Sequence, residues 1–165
     1  MRIKPSIKTG LSFGLTSGII TTLGIMTGLN AGTHSRVAVI GGILTIAVAD
    51  AISDSFGIHV SEETDPTRKR KEVWESTLSA FFTKFFVVLT FLVSVLFLPL
   101  PTAIAVNIAW GMFLLTLFSA FIAVKLKRNP LVMVFKYGLL AALIIILTNM
   151  LGGWISVTFS NTFGN

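Results

Sequence analysis

The sequence predicts an all-α integral membrane protein with five transmembrane helices, and three observations support that fold class. Apolar residues make up 53% of the 165 residues, charged residues only 12%, and the mean hydropathy is +0.86, a composition untypical of a water-soluble domain. Five apolar runs reach the ~20 residues that a helix needs to cross a bilayer. Every proline lies outside the interiors of these runs. We therefore treat residues 1–165 as a single transmembrane domain.

The predicted spans lie at about residues 11–29, 37–59, 78–98, 102–124 and 131–156. The first follows Arg2, Lys4 and Lys8, as a signal peptide would, but it is about bilayer length and lacks an Ala-x-Ala cleavage site. We expect a retained helix at this position.

Two dipeptides predict where helices restart. Asp65-Pro66 and Asn129-Pro130 each combine an N-cap residue with a proline suited to the first helical position. Helices should therefore begin just after residues 65 and 129. The longest polar stretch, about 61–76, is predicted to be a short cytoplasmic segment.

The distribution of cations predicts the orientation in the membrane. Because five spans alternate in direction, 12 of the 13 Lys and Arg residues fall on one side, and only Arg36 falls on the other. This count includes Lys84 and Lys136, whose side chains are expected to snorkel to the nearby surface. By the positive-inside rule the N-terminus is cytoplasmic and the C-terminus is extracytoplasmic.

The acidic residues are confined to one window of the chain. They are Asp50, Asp54, Glu62, Glu63, Asp65, Glu72 and Glu75, and none follows residue 75. Asp50 and Asp54 fall inside the second span, four residues apart, so they share a helix face about 6 Å apart along the axis. A carboxylate in the hydrocarbon is costly, and two like charges in a low dielectric require a proton or a bridging cation.

This pair is a candidate site for a metal ion, for protons, or for both in exchange. The alternative is that one aspartate is neutral and only hydrogen-bonds a neighbouring helix. Glu62, Glu63, Glu72 and Glu75 form a second candidate, an arm that collects cations under the membrane. The alternative for the arm is a solvated loop with ion pairs to residues 68–71.

Several function classes are excluded or disfavoured by the residues present. The absence of cysteine rules out disulfides and thiolate metal sites. The sequence lacks a Walker A loop, a dinucleotide fingerprint and a His-Glu-x-x-His motif, so we expect no enzyme and no tightly bound cofactor. The net charge of +6 lies at the ends of apolar runs, which indicates topology and not a nucleic-acid partner.

Two segments resemble a known family. The run from Phe13 to Thr22 (FGLTSGIITT), and the run from Gly41 through Ala49-Asp50-Ala51-Ile52-Ser53 to Gly57-Ile58-His59-Val60-Ser61, are similar to the vacuolar iron transporter family. The resemblance covers residues 10–65, and over the last three spans it extends only to helix number and length. It implies five spans, a cytoplasmic N-terminus, and a homodimeric pore lined by the first two helices.

The chain departs from the family pattern at the pore positions. Ser17 stands where the family commonly has an aspartate, Asp54 falls at its second-span methionine, and Ile58 falls at a family glutamate. The large cytoplasmic metal-binding domain is reduced to Glu62 through Glu75, as in a short prokaryotic-type member. By position, the resemblance assigns Ser17 and Asp54 to the pore and leaves Asp50 as an additional carboxylate.

The function predicted from these features is export of a divalent cation, Fe²⁺ or Mn²⁺, from the cytoplasm in exchange for protons. Oxygen ligands suit Mn²⁺, and the Met26 thioether would be needed to favour Fe²⁺. The expected partners are membrane lipid, a second copy of the chain, divalent cations and protons, in a prokaryotic cell membrane. The alternatives are a non-transporting structural membrane subunit and a carrier for another solute.

The orientation is directly testable. A reporter fused after Asn165 should be extracytoplasmic, and one inserted near Asp65 should be cytoplasmic, because the cation asymmetry places them on opposite sides. Protease accessibility of the two reporters in intact cells measures this. Finding both reporters on one side would contradict the five-span arrangement.

Overall fold

The computed structural model describes residues 4–159 in full and the backbone of residues 160–163. Within these residues the regular structure is entirely helical. The five long helices are α1 (Pro5–Thr33), α2 (Arg36–Glu63), α3 (Arg70–Phe97), α4 (Leu100–Lys125) and α5 (Pro130–Phe163). Each is long and apolar enough to cross a membrane, consistent with an α-helical integral membrane protein. The predicted number and order of spans are confirmed.

One of the two predicted helix starts is confirmed. Helix α5 begins at Pro130, and Oδ1 of Asn129 accepts a hydrogen bond of 2.9 Å from the Leu131 N–H. This is the arrangement of an N-cap followed by proline at the first helical position. The start of α5 could therefore be predicted from the local sequence alone.

The predicted start after Asp65 is wrong, because the Asp65 side chain closes a turn instead. Its Oδ1 accepts hydrogen bonds from the Thr67 N–H at 2.9 Å and the Thr67 hydroxyl at 2.7 Å. These bonds lower the pKa of the Asp65 carboxyl below its ordinary value. Helix α3 begins at Arg70, and the N–H of Lys69 donates to Oε2 of Glu72 at 3.1 Å.

Helix α1 lies at the centre of the bundle and packs most extensively against α3 and α5. Its glycines make these close approaches possible. Three of them (Gly10, Gly14 and Gly18) face α3, and three (Gly24, Gly28 and Gly32) face α5. The glycine spacing in the first span therefore serves helix packing, which is its commoner use in membranes.

Three contacts establish which segments share an end of the bundle. Near one end, Lys4 Nζ lies 2.6 Å from Glu75 Oε1. Near the other, Arg36 Nη2 donates to the Leu98 carbonyl at 2.8 Å, and Gly32 faces Gly152. Since each helix reverses the direction of the one before, residues 4–8, 61–76 and 125–130 lie together at what we call the basic end.

The close packing of α1 on α5 gives a matched test on two adjacent glycines. A Cβ added at Gly152 would run into the Gly28 backbone, whereas one added at Gly153 would meet nothing within 4 Å in this chain. Gly152→Ala should therefore lower the free energy of unfolding by about 1–3 kcal/mol, as overpacking does, and Gly153→Ala should leave it nearly unchanged. Unfolding of the purified protein in mixed detergent micelles measures both. Equal effects of the two substitutions would contradict this packing.

Candidate ion-binding site

Three helices bring four polar side chains together inside the bundle. Ser17 comes from α1, Asp50 and Asp54 from α2, and Lys84 from α3. The Lys84 Nζ lies 2.5 Å from Oδ2 of each aspartate and 3.0 Å from Ser17 Oγ. The Ser17 hydroxyl donates to Asp54 Oδ2 at 2.5 Å. We call these four residues the Lys84 cluster.

The two contacts of the ammonium differ in geometry. Lys84 donates a hydrogen bond to Asp54, whereas its contact with Asp50 is an ion pair whose angles do not suit a hydrogen bond. The side chain of Lys84 is 1% exposed, against 36% for Asp50 and 26% for Asp54. The ammonium is thus enclosed by the bundle, whereas both carboxylates are partly exposed.

The expectation that Lys84 snorkels to the membrane surface is wrong. Lys84 shares a helix face with buried residues one turn before and one turn after it, Ala80 and Val88, so its side chain points into the bundle. An added Cβ on Gly18 would lie 3.2 Å from Lys84 Cγ, which shows that the glycine leaves room for the lysine stem. A buried ammonium is stable only when it is paired, and the aspartates provide the pairing.

The predicted shared face of Asp50 and Asp54 agrees with this geometry, because both carboxylates contact the same nitrogen. Two carboxylates at this spacing require a proton or a cation. In this structure the cation is an ammonium group of the chain itself. If all three groups are ionised, the Lys84 cluster carries a net charge of −1.

Ser17 belongs to the cluster, but Met26 does not. Met26 is buried, and its Sδ accepts a hydrogen bond of 3.2 Å from the Asn107 side-chain amide. It lies nine residues from Ser17 on α1, which corresponds to about 13.5 Å along the axis. The thioether is therefore placed in an interhelical contact, away from the aspartates.

A cleft of about 530 Å³ connects the cluster with the basic end. Asp54 lies at one part of its wall and Glu62 at another, two helical turns apart on α2. The lining also includes the hydroxyl side chains of Thr9, Ser53 and Ser61. The cleft thus offers a partly polar route from the end of the bundle to the Asp54 carboxylate.

The four glutamates of the predicted arm have separate structural partners. Glu62 lies 2.9 Å from Arg68 Nε, and Glu63, whose side chain is 71% exposed, lies 4.0 Å from His59 Nε2. Glu72 accepts from a backbone N–H at the start of α3. Glu75 accepts from Lys4 at 2.6 Å and from the Ser6 hydroxyl at 2.8 Å, which joins α3 to the start of α1.

These glutamates are not gathered around one point. Among the residues that the structure describes, no group of three or more His, Cys, Asp or Glu side chains is positioned to hold a metal ion. The alternative for the arm predicted ion pairs between these glutamates and residues 68–71. Glu72 and Glu75 do not form such pairs, because Glu72 accepts from the backbone at the start of α3 and Glu75 accepts from Lys4. Of the four, Glu62 alone lies on the cleft.

Comparisons with protein-family models, with curated proteins and with solved structures found no match. The similarity to the vacuolar iron transporter family stays a prediction from residues 10–65. The function is therefore inferred from the chain's own residues, above all from the Lys84 cluster.

The charge balance of the cluster can be tested by stability. Lys84→Leu leaves two aspartates in the bundle without their cation and should lower the free energy of unfolding by about 3 kcal/mol, the low end for a broken buried pair. Adding Asp50→Asn and Asp54→Asn should recover most of that loss, because amides are cheaper to bury than carboxylates.

Unfolding in mixed detergent micelles measures the variants, with the exposed Lys8 on α1 as a matched lysine control. Lys8→Leu should change the free energy of unfolding by less than about 0.5 kcal/mol. A stable Lys84→Leu variant, or a triple variant no more stable than the single one, would show that the ion pairs do not hold the helices together.

Proposed function

We propose that the protein is a membrane transporter that exports a divalent metal cation from the cytoplasm in exchange for protons. The observation that carries the proposal is that Asp50 and Asp54 already hold one cation, the Lys84 ammonium, inside the bundle. Both carboxylates are partly exposed and Asp54 lines a cleft, an arrangement suited to exchanging that cation for another.

The geometry defines what an entering ion must do. A metal ion that used the Asp50 and Asp54 oxygens would need the position near Oδ2 of both groups, which Lys84 Nζ occupies. Binding therefore requires displacement of the ammonium. The proposed cycle alternates between a form in which lysine neutralises the aspartates and a form in which a divalent ion does so.

The donor set favours Mn²⁺ over Fe²⁺ as the exported ion. The cluster supplies carboxylate and hydroxyl oxygens, which suit Mn²⁺, and the Met26 thioether lies in a separate contact with Asn107. Fe²⁺ therefore loses the soft ligand that would have favoured it. We retain both metals as test ions because oxygen donors bind both.

We further propose that the transporter is a homodimer in a prokaryotic cell membrane. In a single chain the Asp50 side chain is 36% exposed in the middle of a span. Exposure of a carboxylate to lipid is costly, and a second copy would cover this side and bring four aspartates together.

The second candidate is a structural membrane subunit without transport activity, and the same lysine favours it. An ammonium that neutralises both aspartates removes the need for any external cation. In that case the Lys84 cluster only joins α1, α2 and α3. The two candidates differ in what the aspartates do when Lys84 is removed.

Metal binding to the Lys84→Leu protein separates the two candidates. If metal and ammonium compete for the same carboxylates, Lys84→Leu should bind Mn²⁺ roughly tenfold or more tightly than wild type, because in wild type the metal must first displace the ammonium from both carboxylates. Titration calorimetry of the detergent-solubilised dimer measures the affinity. In the structural candidate neither protein binds Mn²⁺.

Transport assays complete the test. Asp50→Asn should abolish Mn²⁺ transport in proteoliposomes while the protein still assembles. Asp54→Asn should act in the same direction more weakly, because Asp54 lies on the cleft, one turn closer to the basic end, where water can partly replace its oxygens. Asp65→Asn is the matched control, since it removes a carboxylate in an exposed turn. Full transport by Asp50→Asn, or equal losses in Asp50→Asn and Asp65→Asn, would contradict the proposed site.

A further inference from the structure

A second polar cavity lies at the basic end, where α4 turns into α5. Its volume is about 440 Å³, and its polar lining consists of Arg128, Asn129, Lys136 and Tyr137. Apolar side chains, among them Ile122 and Met133, form the remaining wall. None of these residues belongs to the Lys84 cluster or to its cleft.

This cavity has cations without carboxylate partners. The sequence contains no acidic residue after Glu75, so neither α4 nor α5 can supply one. Across residues 4–163, the ion pairs in the structure involve neither Arg128 nor Lys136. The positive potential of the cavity is therefore not cancelled within the chain.

The backbone fixes the position of Arg128. Lys127 adopts a left-handed conformation with φ of 53°, the N–H of Lys127 donates to the Val124 carbonyl, and the N–H of Arg128 donates to the Ala123 carbonyl. These two bonds form the Schellman motif that ends α4. The backbone of Arg128 is thus fixed beside the cavity that its side chain lines.

The donors are those that recognise a phosphate group. Arg128 supplies a planar guanidinium fork, Lys136 an ammonium and Tyr137 a hydroxyl, which together satisfy several phosphate oxygens. Asn129 accepts from Leu131 through Oδ1, which leaves its amide N–H groups as further donors. A phosphodiester would find both charge neutralisation and hydrogen bonds in this cavity.

The surroundings favour a lipid as the source of the phosphate. The neighbouring surface of α5 exposes large apolar side chains, with Leu131 78% and Phe135 72% exposed. A headgroup bound between Arg128 and Lys136 could therefore lay its acyl chains along the outer face of α5. Basic pockets between transmembrane helices are a recognised mode of binding anionic lipid headgroups.

We propose that this cavity binds the phosphate of an anionic phospholipid headgroup through Arg128 and Lys136. The site is specific in position, because only these two cations of the α4–α5 hairpin line the cavity. Lys125 and Lys127 lie on the same turn outside it, and Lys125 Nζ instead contacts the Phe121 ring at 4.0 Å from its centroid. This proposal is independent of what the Lys84 cluster does.

Native mass spectrometry of the full chain tests the proposal, with phosphatidylglycerol as the probe and phosphatidylcholine as the neutral reference, both in a non-ionic detergent. Wild type should retain phosphatidylglycerol preferentially. Arg128→Gln with Lys136→Gln should reduce that retention roughly tenfold or more, since each cation near an anionic headgroup contributes substantially to binding. Lys125→Gln with Lys127→Gln is the control with the same loss of charge and should stay within about twofold of wild type.

The remaining outcomes decide against the site. Equal losses in both double variants would indicate a diffuse surface charge, and no loss in Arg128→Gln with Lys136→Gln would show that the cavity is not used. Inorganic phosphate distinguishes the source of the anion, because it lacks acyl chains. If it bound to wild type as tightly as phosphatidylglycerol, the cavity would be a site for a soluble anion and the lipid proposal would be overturned.

Discussion

The arrangement of α1, α2 and α3 depends on one interaction, the Lys84 ammonium between the carboxylates of Asp50 and Asp54. In a membrane interior each of these groups alone would be costly, because no water is available to solvate it. Together they pair the two carboxylates of α2 with the ammonium of α3, which requires these two helices to remain in contact. The neighbouring residues on α1 fit this requirement, since Gly18 leaves room for the lysine stem and Ser17 donates to Asp54. The cluster therefore links packing and chemistry in the same few atoms.

The helices themselves could be predicted because bilayer thickness sets their length and composition marks them strongly. Their ends were less predictable, and the two Asx-Pro sites show why. Asn129 caps α5 as expected, but Asp65 is followed two residues later by Thr67, whose N–H and hydroxyl both donate to it. A capping residue stabilises whichever local turn offers it donors. The same type of residue before proline thus gave a helix start in one case and an isolated turn in the other.

The candidate site was predictable in part. Helical periodicity was sufficient to place Asp50 and Asp54 on one face, whereas Lys84 was assigned to the surface by its distance from the end of its span. A signal for burial was present: Lys84 lies four residues from both Ala80 and Val88, while the bulky Phe82 and Phe86 occupy the exposed side of α3. Two acids on one face inside a membrane span also required a proton or a cation. The general rule that lysine snorkels does not hold here, because the two carboxylates pair with the ammonium and stabilise it inside the bundle.

The backbone of α2 explains why the aspartates are both held and accessible. Ile46–Asp50 forms a π-helical segment, in which the Ala51 N–H reaches back to the Ile46 carbonyl. Buried residues follow at a strict spacing of four through this region, at Val39, Ile43, Ala47, Ala51 and Ser55. In a regular α-helix a spacing of four drifts by about 40° per step, so that such a row would rotate out of the core. The wider π turn offsets the drift and keeps the row buried.

Asp50 and Asp54 each precede a member of this row by one residue. They therefore lie at the edge of the row, with Lys84 on one side and the cleft beside Asp54 on the other.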